Sequence, residues 1–343
     1  MNMQAALDTI DGRKIYLYPE QPQMQVEVIL ASKGPHQSKP LYTIRMRYPR
    51  IIHGEIMTHR VFSRNARSSR AVPVKTMLNE VRNTPYVPWH WGKNQSGMQA
   101  SEECDALIPY EGEGQYFSAA TNEQMWLHAR DTSANVAEAF MEMGYHKQNP
   151  NRLLEPFSWI DTLITATEWD NFLWLRDHAD AEPHLQDLAR LVHLAIKHAD
   201  VQELDSGEWH LPYVTEQDWQ ASITAVSPPH QALTSEWLCK ISAARCARIS
   251  YKPFDGDASY ERELERYDSL VTADRVHASP LEHQATPDTK TRMVCDYVGE
   301  MDYSDPEATW SNPDLHGNLD GWIQYRKTIP NEAKTVGVLD PNV

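Results

Sequence analysis

Apolar and polar residues alternate in two short stretches near the beginning of the chain. The alternation over 26–30 and 42–48 predicts two half-buried strands, and Ser38, Lys39 and Pro40 between them predict a turn. Further along, apolar residues recur at helical spacing. We predict helices over 73–83, from about 119 to 144, near 151–164 and 169–178, over 183–198, and from about 234.

The helix predicted over 119–144 is the longest. Its inner face is expected to consist of Met125, Ala129, Val136, Phe140 and Met143. The stretch over 84–114 is rich in Pro, Trp, Gly and polar residues, which favours an ordered loop. The polar run over 200–218 is typical of a connection.

Composition narrows the class of protein. The chain has 343 residues, of which 41% are hydrophobic, so it is long enough for a large core and about two domains. No apolar run approaches the roughly 20 residues of a membrane span. The first residues lack the pattern of a signal peptide, so we expect a cytoplasmic protein. Four cysteines are present, none in a CxxC pair, so no metal site is expected.

The net charge of −16 repels polynucleotides, and we expect none as a partner. Against this background, the segment THRVFSRNARSSRA (58–71) contains four arginines and no acidic residue: Arg60, Arg64, Arg67 and Arg70. Guanidinium groups bind phosphate bidentately, and the interleaved hydroxyl groups favour the same ligand. If its first part is helical, Arg60, Arg64 and Arg67 share one stripe. The alternatives are a surface loop paired with acidic residues and a nucleic-acid-binding patch.

The order of residues in this segment resembles the signature of flavin-dependent thymidylate synthases, the ThyX family. That signature is Arg-His-Arg followed after seven residues by Ser, and here seven residues separate His59-Arg60 from Ser68. The resemblance implies that the flavin contacts His59, Arg60, Ser63 and Asn65. It also implies that Ser68, Ser69 and Arg70 hold the phosphate of a nucleotide substrate.

The segment departs from the family pattern at several positions. Thr58 replaces the first arginine, Ala66 replaces an acidic residue that contacts the nucleotide sugar, and Ala71 replaces a tyrosine. Glu55 stands where many members have glutamine, and we expect it at the substrate. These departures affect the nucleotide contacts and leave the phosphate-binding residues in place.

A second segment, over 151–176, resembles another conserved region of the family, a helix with Asn followed five residues later by Arg. The resemblance implies that Asn171 contacts the flavin and that Arg176 pairs with the uracil ring. A fixed cation there stabilises negative charge that develops on the ring during attack by C5. Arg152 resembles a further phosphate-binding arginine of the family.

A third segment lies in an unusual place. Near the C-terminus, CARISY (246–251) and HASPLEH (277–283) resemble a region that family members carry near the N-terminus. The resemblance implies that His277, Ser279 and Glu282 approach the flavin, and that the chain is a rearranged member. The tail over 321–332 resembles the first signature faintly, which is consistent with a partial internal duplication. We therefore divide the chain into a core (1–200), a connection (201–235) and a C-terminal segment (236–343).

The resemblance implies an α/β (α+β) fold, a central antiparallel sheet flanked by helices, in a homotetramer, or a dimer if the tail is a partial duplication. It implies a thymidylate synthase that transfers one carbon from methylenetetrahydrofolate to C5 of dUMP, with FAD as cofactor and NADPH as reductant. None of the cysteines follows a proline, as the nucleophile of flavin-free thymidylate synthases does. Two alternatives remain open: a flavin-dependent hydroxymethylase acting on dUMP or dCMP, and a non-catalytic protein that binds nucleotides or RNA.

Overall fold

The computed structural model describes residues 6–10, 13–35, 38–112, 115–226, 231–250, 257–271, 276–291 and 308–333. The strands are β1 (Ala6–Ile10), β2 (Arg13–Tyr18), β3 (Gln21–Lys33), β4 (Leu41–Pro49), β5 (Ser63–Ala66), β6 (Ile108–Gly112), β7 (Gln115–Ala120), β8 (Trp159–Ala166), β9 (Gln202–Glu203), β10 (Ala285–Pro287), β11 (Lys290–Thr291), β12 (Thr309–Trp310) and β13 (Trp322–Gln324). The helices are α1 (His53–Ile56), α2 (Val74–Asn83), α3 (Asn122–Glu142), α4 (Pro150–Leu154), α5 (Asp170–Arg176), α6 (Pro183–Lys197), α7 (Glu216–Ala225), α8 (Gln231–Ala247), α9 (Tyr260–Val271) and α10 (Tyr325–Thr328). None of the described helices is long and apolar enough to cross a membrane.

A seven-stranded sheet organises the described residues, in the order β1-β2-β3-β4-β8-β5, with β9 beside β3. All neighbours are antiparallel except β9, which pairs with β3 in parallel. This confirms the predicted α/β class with a central antiparallel sheet flanked by helices. Because β5 and β8 are adjacent, the arginine-rich segment lies at the edge of the sheet, beside the second family-like segment.

The two faces of the sheet are covered by different parts of the chain. On β4, Ile44, Met46 and Tyr48 belong to a core that also includes apolar residues of α6. Residues of the opposite face, including Leu41, pack against Ala285, Leu319 and Trp322. The alternation of strand side chains thus places α6 on one face and the C-terminal segment on the other.

One predicted helix is wrong in its second half. The chain is helical over Pro150–Leu154, but Trp159–Ala166 forms strand β8 in the interior of the sheet. This stretch, WIDTLITA, is rich in β-branched residues and is buried on both faces. A strand that is buried on both sides shows no polar alternation, so its apolar run resembles a buried helix.

The predicted inner face of the longest helix is also wrong. In α3 the buried residues are Ala134 and Ala137, whereas Val136 and Met143 are 45% and 74% exposed. Small side chains let α3 approach α2 and α4 closely, and this contact decides which face is inside.

The first part of the arginine-rich segment is not helical. Ser63–Ala66 forms β5, so Arg60, Arg64 and Arg67 do not share a helical stripe. In a strand, successive side chains point to opposite faces. Ser63 and Asn65 therefore face the C-terminal segment, whereas the Arg64 side chain donates to the backbone oxygens of Met57 and His59.

Candidate functional site

The two family-like segments meet at Arg176, the last residue of α5. Its Nε donates a hydrogen bond to Nε2 of His59 at 3.0 Å, and one Nη donates to Oγ1 of Thr58 at 3.2 Å. The other Nη lies 3.5 Å from Oε2 of Glu55. We call these four residues the Arg176 cluster. It fixes the guanidinium on three sides, although the Arg176 side chain keeps 20% of its surface exposed.

Charge and burial set the protonation states in this cluster. Burial, with the charges of Arg176 and Arg64, lowers the pKa of His59 to about 4. At neutral pH the imidazole is therefore uncharged, and its Nε2 lone pair accepts the hydrogen bond from Arg176. Burial and the carboxylate of Glu182 raise the pKa of Glu55, and Arg176 opposes this shift.

Around the cluster, several side chains face outward. Arg60 and Asn171 are exposed, and the Arg60 side chain makes no hydrogen bond or ion pair within the described part of the chain. Trp174 is 80% exposed on α5, and Val61 is 42% exposed beside Arg60. An unpaired guanidinium beside exposed apolar side chains suits a ligand that has both an aromatic and an anionic part.

Two of the four predicted phosphate-binding residues, Ser69 and Arg152, contact the carboxylate of Glu155. Oγ of Ser69 donates to Glu155 at 2.6 Å, and Arg50 and Arg152 approach it at 3.1 and 3.4 Å. Ser68 is exposed, and the backbone N–H of Arg70 donates to its Oγ at 3.3 Å. The Arg70 side chain is exposed and makes no hydrogen bond or ion pair with the other described residues.

A cavity of about 350 Å³ opens beside Glu155 and is lined by Arg50, His53 and Arg152. The Tyr48 hydroxyl lies 2.9 Å from Nδ1 of His53. Burial and the charges of Arg50 and Arg64 lower the pKa of His53 to about 4, so its ring is neutral at pH 7. The two arginines exceed the one carboxylate here, which favours an anion.

Arg50 and His53 were not among the sequence-predicted residues. Both precede the arginine-rich segment, and no motif marks them. The available signal was weak: Arg50 ends a run that begins with the predicted strand over 42–48, and His53 follows it at one helical turn. Arg50 and His53 lie near Glu155 because β4, which precedes them, lies beside β8. The short 3-10 helix before β8 begins with Glu155.

Two predicted flavin contacts are engaged within the chain. Ser63 Oγ donates to Oδ1 of Asn318 at 3.1 Å and accepts a hydrogen bond from Nε2 of Gln324 at 3.1 Å. Nδ2 of Asn65 donates to the backbone oxygen of Cys246 at 2.6 Å. Both side chains are buried, with exposures of 0% and 9%. They attach the C-terminal segment to β5.

The third family-like segment lies next to this edge of the sheet. His277 and Ser279 are exposed, and Glu282 ends a short 3-10 helix that packs against β5. Glu282 forms an ion pair with Arg326. Burial raises the pKa of Glu282, while Arg326 and Arg64 oppose the shift. The charge of Arg64, in the arginine-rich segment, therefore acts on a carboxyl group of the third segment.

No family model and no curated protein matches this chain. One similar solved structure is the UMP/dUMP methylase PolB from Streptomyces cacaoi bound with 5-Br UMP, with 18% identity and a TM-score of 0.31 over 46% of this chain and 68% of that chain. Another is the flavin-dependent thymidylate synthase ThyX from Helicobacter pylori complexed with FAD and dUMP, with 17% identity and a TM-score of 0.30 over 46% of this chain and 67% of that chain. Values this low transfer no residue role to this chain.

The site thus consists of three neighbouring groups. Glu55, His59 and Arg176 are in direct contact, Ser69 and Arg152 meet through Glu155, and Glu282 lies within the electrostatic reach of Arg64. No group of three or more potential metal ligands occurs among the described residues.

Proposed function

We propose that this chain binds FAD and a pyrimidine deoxynucleotide and transfers one carbon from methylenetetrahydrofolate to C5 of dUMP. The supporting observation is the 3.0 Å hydrogen bond between Arg176 and His59. These residues are 117 positions apart, and each belongs to a segment that resembles the same family of enzymes. Two unrelated surface segments have no reason to meet through a buried, neutral histidine.

The residues around the Arg176 cluster fit a flavin in part. Arg60 and Asn171 are exposed and available to phosphate and hydroxyl groups, and His277 and Ser279, in the segment that packs against β5, are exposed as well. Ser63 and Asn65 would act through the C-terminal segment that they hold. A bound flavin, reduced by NADPH, supplies the hydride that completes the new methyl group.

The nucleotide phosphate would be held by Ser68, Ser69, Arg70 and Arg152, beside the arginine-lined cavity. Arg176 would face the pyrimidine ring. As C5 attacks its electrophile, charge on the ring carbonyls changes, and a guanidinium already fixed by His59 and Thr58 needs little reorganisation to stabilise it. Glu55 shares this guanidinium and would lie beside the ring.

A second product is favoured by one observation. Glu55 is a carboxylate where the resembled family commonly has glutamine, and its pKa is raised by burial and by Glu182. A carboxylate next to the reacting carbon can accept a proton from water. Addition of that water to the exocyclic methylene group forms a C–O bond and yields a 5-hydroxymethyl nucleotide, from dUMP or dCMP.

The test is to purify the full chain, record its flavin absorption, and incubate it with methylenetetrahydrofolate, NADPH and either dUMP or dCMP. The product mass distinguishes a methyl from a hydroxymethyl group. Protein that is colourless, fails to bind added FAD and binds polynucleotides in a salt-sensitive way would support the non-catalytic alternative. Glu55→Gln should shift a hydroxymethyl product towards methyl, and an unchanged product mass would remove Glu55 from this role.

A further inference from the structure

A second cavity is lined mainly by a loop that lies outside the family-like segments. Its volume is about 590 Å³, and it opens between the loop over 84–107, α3 and α6. Tyr86, Trp91 and Trp126 line it together with Glu182 and His184. Binding sites for small molecules have volumes of roughly 300–1,000 Å³ and combine aromatic walls with a few polar groups.

The aromatic residues form a corner. The rings of Trp91 and Trp126 meet at 80° with centroids 6.1 Å apart, and those of Tyr86 and Trp126 meet at 87° with centroids 5.9 Å apart. Nε1 of Trp126 donates to the backbone oxygen of Tyr86 at 2.8 Å, which fixes the indole. Trp91 and Trp126 are only partly buried, so part of their ring surface is available to a further aromatic ring.

The outer wall is held in place before any ligand binds. The backbone N–H of Cys104 donates to the oxygen of Trp91 at 2.7 Å, and the N–H of Trp91 donates to a Glu103 carboxylate oxygen at 2.6 Å. Gly92 is required here because a Cβ atom would lie 2.2 Å from Cβ of Ala100. A preformed wall reduces the entropy that a ligand must lose on binding.

The polar lining combines a carboxylate with two imidazoles. Glu182 lines the cavity and accepts a hydrogen bond from His184 at 2.6 Å. His90 also lines the cavity; it contacts the Asp187 carboxylate at 3.0 Å and lies 3.5 Å from Glu103, two carboxylates that are not part of the lining. The Glu182 carboxylate accepts hydrogen bonds, so it favours a ring whose edge donates one.

The cavity also adjoins the site already described. Glu182 influences the ionisation of Glu55 in the Arg176 cluster. Ile51 lines both this cavity and the arginine-lined cavity near Glu155. A ligand in the aromatic cavity therefore lies beside the residues to which the reaction is assigned.

We propose that this cavity binds a flat nitrogen heterocycle with a hydrogen-bond-donating edge. The class includes the pterin ring of the one-carbon donor and the ring of the nicotinamide reductant. The choice of these two rings rests on the proposed function, whereas the inference that the cavity binds a ring of this class does not.

Two stable probes separate the two sources: 5-formyltetrahydrofolate and nicotinamide mononucleotide. Each is titrated into the full chain by calorimetry. Trp91→Ala removes one wall, and Leu107→Arg places a bulky charge at a rim position that is 58% exposed, so its fold is retained. Trp219→Ala and Ile223→Arg are the matched controls, because both residues are exposed on α7 and line none of the described cavities. Trp91→Ala and Leu107→Arg should bind one of the two probes at least tenfold more weakly than the unmodified chain does. The two control variants should bind that probe with unchanged affinity.

Cys104 gives an independent readout, since it is partly exposed and lines the cavity. A bound ring should slow its alkylation by N-ethylmaleimide several-fold, as followed by peptide mass spectrometry. Cys239 and Cys246 are 1% and 0% exposed and should not react. The probe that protects Cys104 identifies the ring class.

The proposal is overturned if neither probe protects Cys104, or if Leu107→Arg binds both probes as tightly as the unmodified chain. Its failure is distinguishable from that of the proposed function. A chain that binds a probe in the cavity but converts no nucleotide keeps this site and loses the function. Normal turnover with unchanged KM for both cosubstrates in Trp91→Ala and Leu107→Arg keeps the function and removes the site.

Discussion

A buried chain of hydrogen bonds joins the sheet to the residues that follow it. Nδ1 of His210 lies 2.7 Å from Ser32 Oγ, and its Nε2 lies 2.8 Å from Thr43 Oγ1. Thr43 contacts Thr165 at 2.6 Å, and Thr165 contacts Nδ1 of His283 at 2.8 Å. Both histidines are 0% exposed. We predict that acidification below neutral pH destabilises this junction.

The magnitude follows from the pKa values. Burial lowers the pKa of both His210 and His283 to about 3, compared with about 6.5 in an unfolded chain. The neutral rings favour the folded state, so their contribution is fully present above pH 6.5 and is lost as the pH falls towards 3. A pH of 5 lies about 1.5 units below the pKa of these histidines in the unfolded chain. Protonation then stabilises the unfolded state by about 2 kcal/mol per histidine, or about 4 kcal/mol for the pair.

The assay is urea unfolding at pH 7.5 and pH 5.0, followed by tryptophan fluorescence. His210→Gln and His283→Asn are combined, because amides keep hydrogen-bonding groups and do not titrate. His53 and His59, whose pKa values are about 4, contribute equally in both proteins and cancel in the comparison. The free energy of unfolding should fall by about 4 kcal/mol more in the unmodified chain than in the double variant. An equal fall in the two proteins would refute the reasoning.

Three further predictions concern single charges. Asp218→Asn should lower the free energy of unfolding by about 3 kcal/mol in urea, because Asp218 is 2% exposed and binds Arg245 at 2.6 and 2.9 Å; a loss below 1 kcal/mol would contradict a structural role. Arg176→Ala should lower kcat/KM about 100-fold in a steady-state assay, while the control Arg82→Ala, which breaks an exposed ion pair with Glu138, should leave it unchanged. Arg70→Ala should raise the Kd for the nucleotide about tenfold by calorimetry without altering that for FAD, and equal losses for both ligands would remove its assignment to the phosphate.

Several elements of the fold could be predicted from the sequence where apolar residues recur with a clear helix or strand period. Helix α6 was predicted over 183–198 and observed over Pro183–Lys197, because its apolar residues recur on one stripe. The two alternating strands were also confirmed, as parts of β3 and β4. Strand β8 could not be distinguished in this way because it is buried on both sides. Only its neighbours in the sheet decide its conformation.

The candidate site was predictable where the chemistry lies in the residue type. Arginines on an acidic chain indicate an anion, and the resemblance to the family marks both His59 and Arg176, which the structure brings into contact. The cavity beside Arg50 and His53 was not predictable, since it depends on which strands are adjacent and on which turn provides Glu155. Sequence spacing contains no information on such long-range contacts.

The internal contacts of Ser63 and Asn65 lead to a prediction about assembly. The resemblance implies a homotetramer in which separate copies complete each site, yet here the C-terminal segment satisfies both side chains from within the same chain. A chain that supplies these contacts from its own C-terminal segment needs fewer partner copies to complete the site, so we expect a dimer. Light scattering coupled to size-exclusion chromatography measures the mass of the assembly directly. The variant Asn65→Ala should weaken the attachment of the C-terminal segment by about 1 to 3 kcal/mol, because it leaves the Cys246 carbonyl unpaired. A stable tetramer for the unmodified chain would show that these contacts within the chain replace none of the contacts between copies.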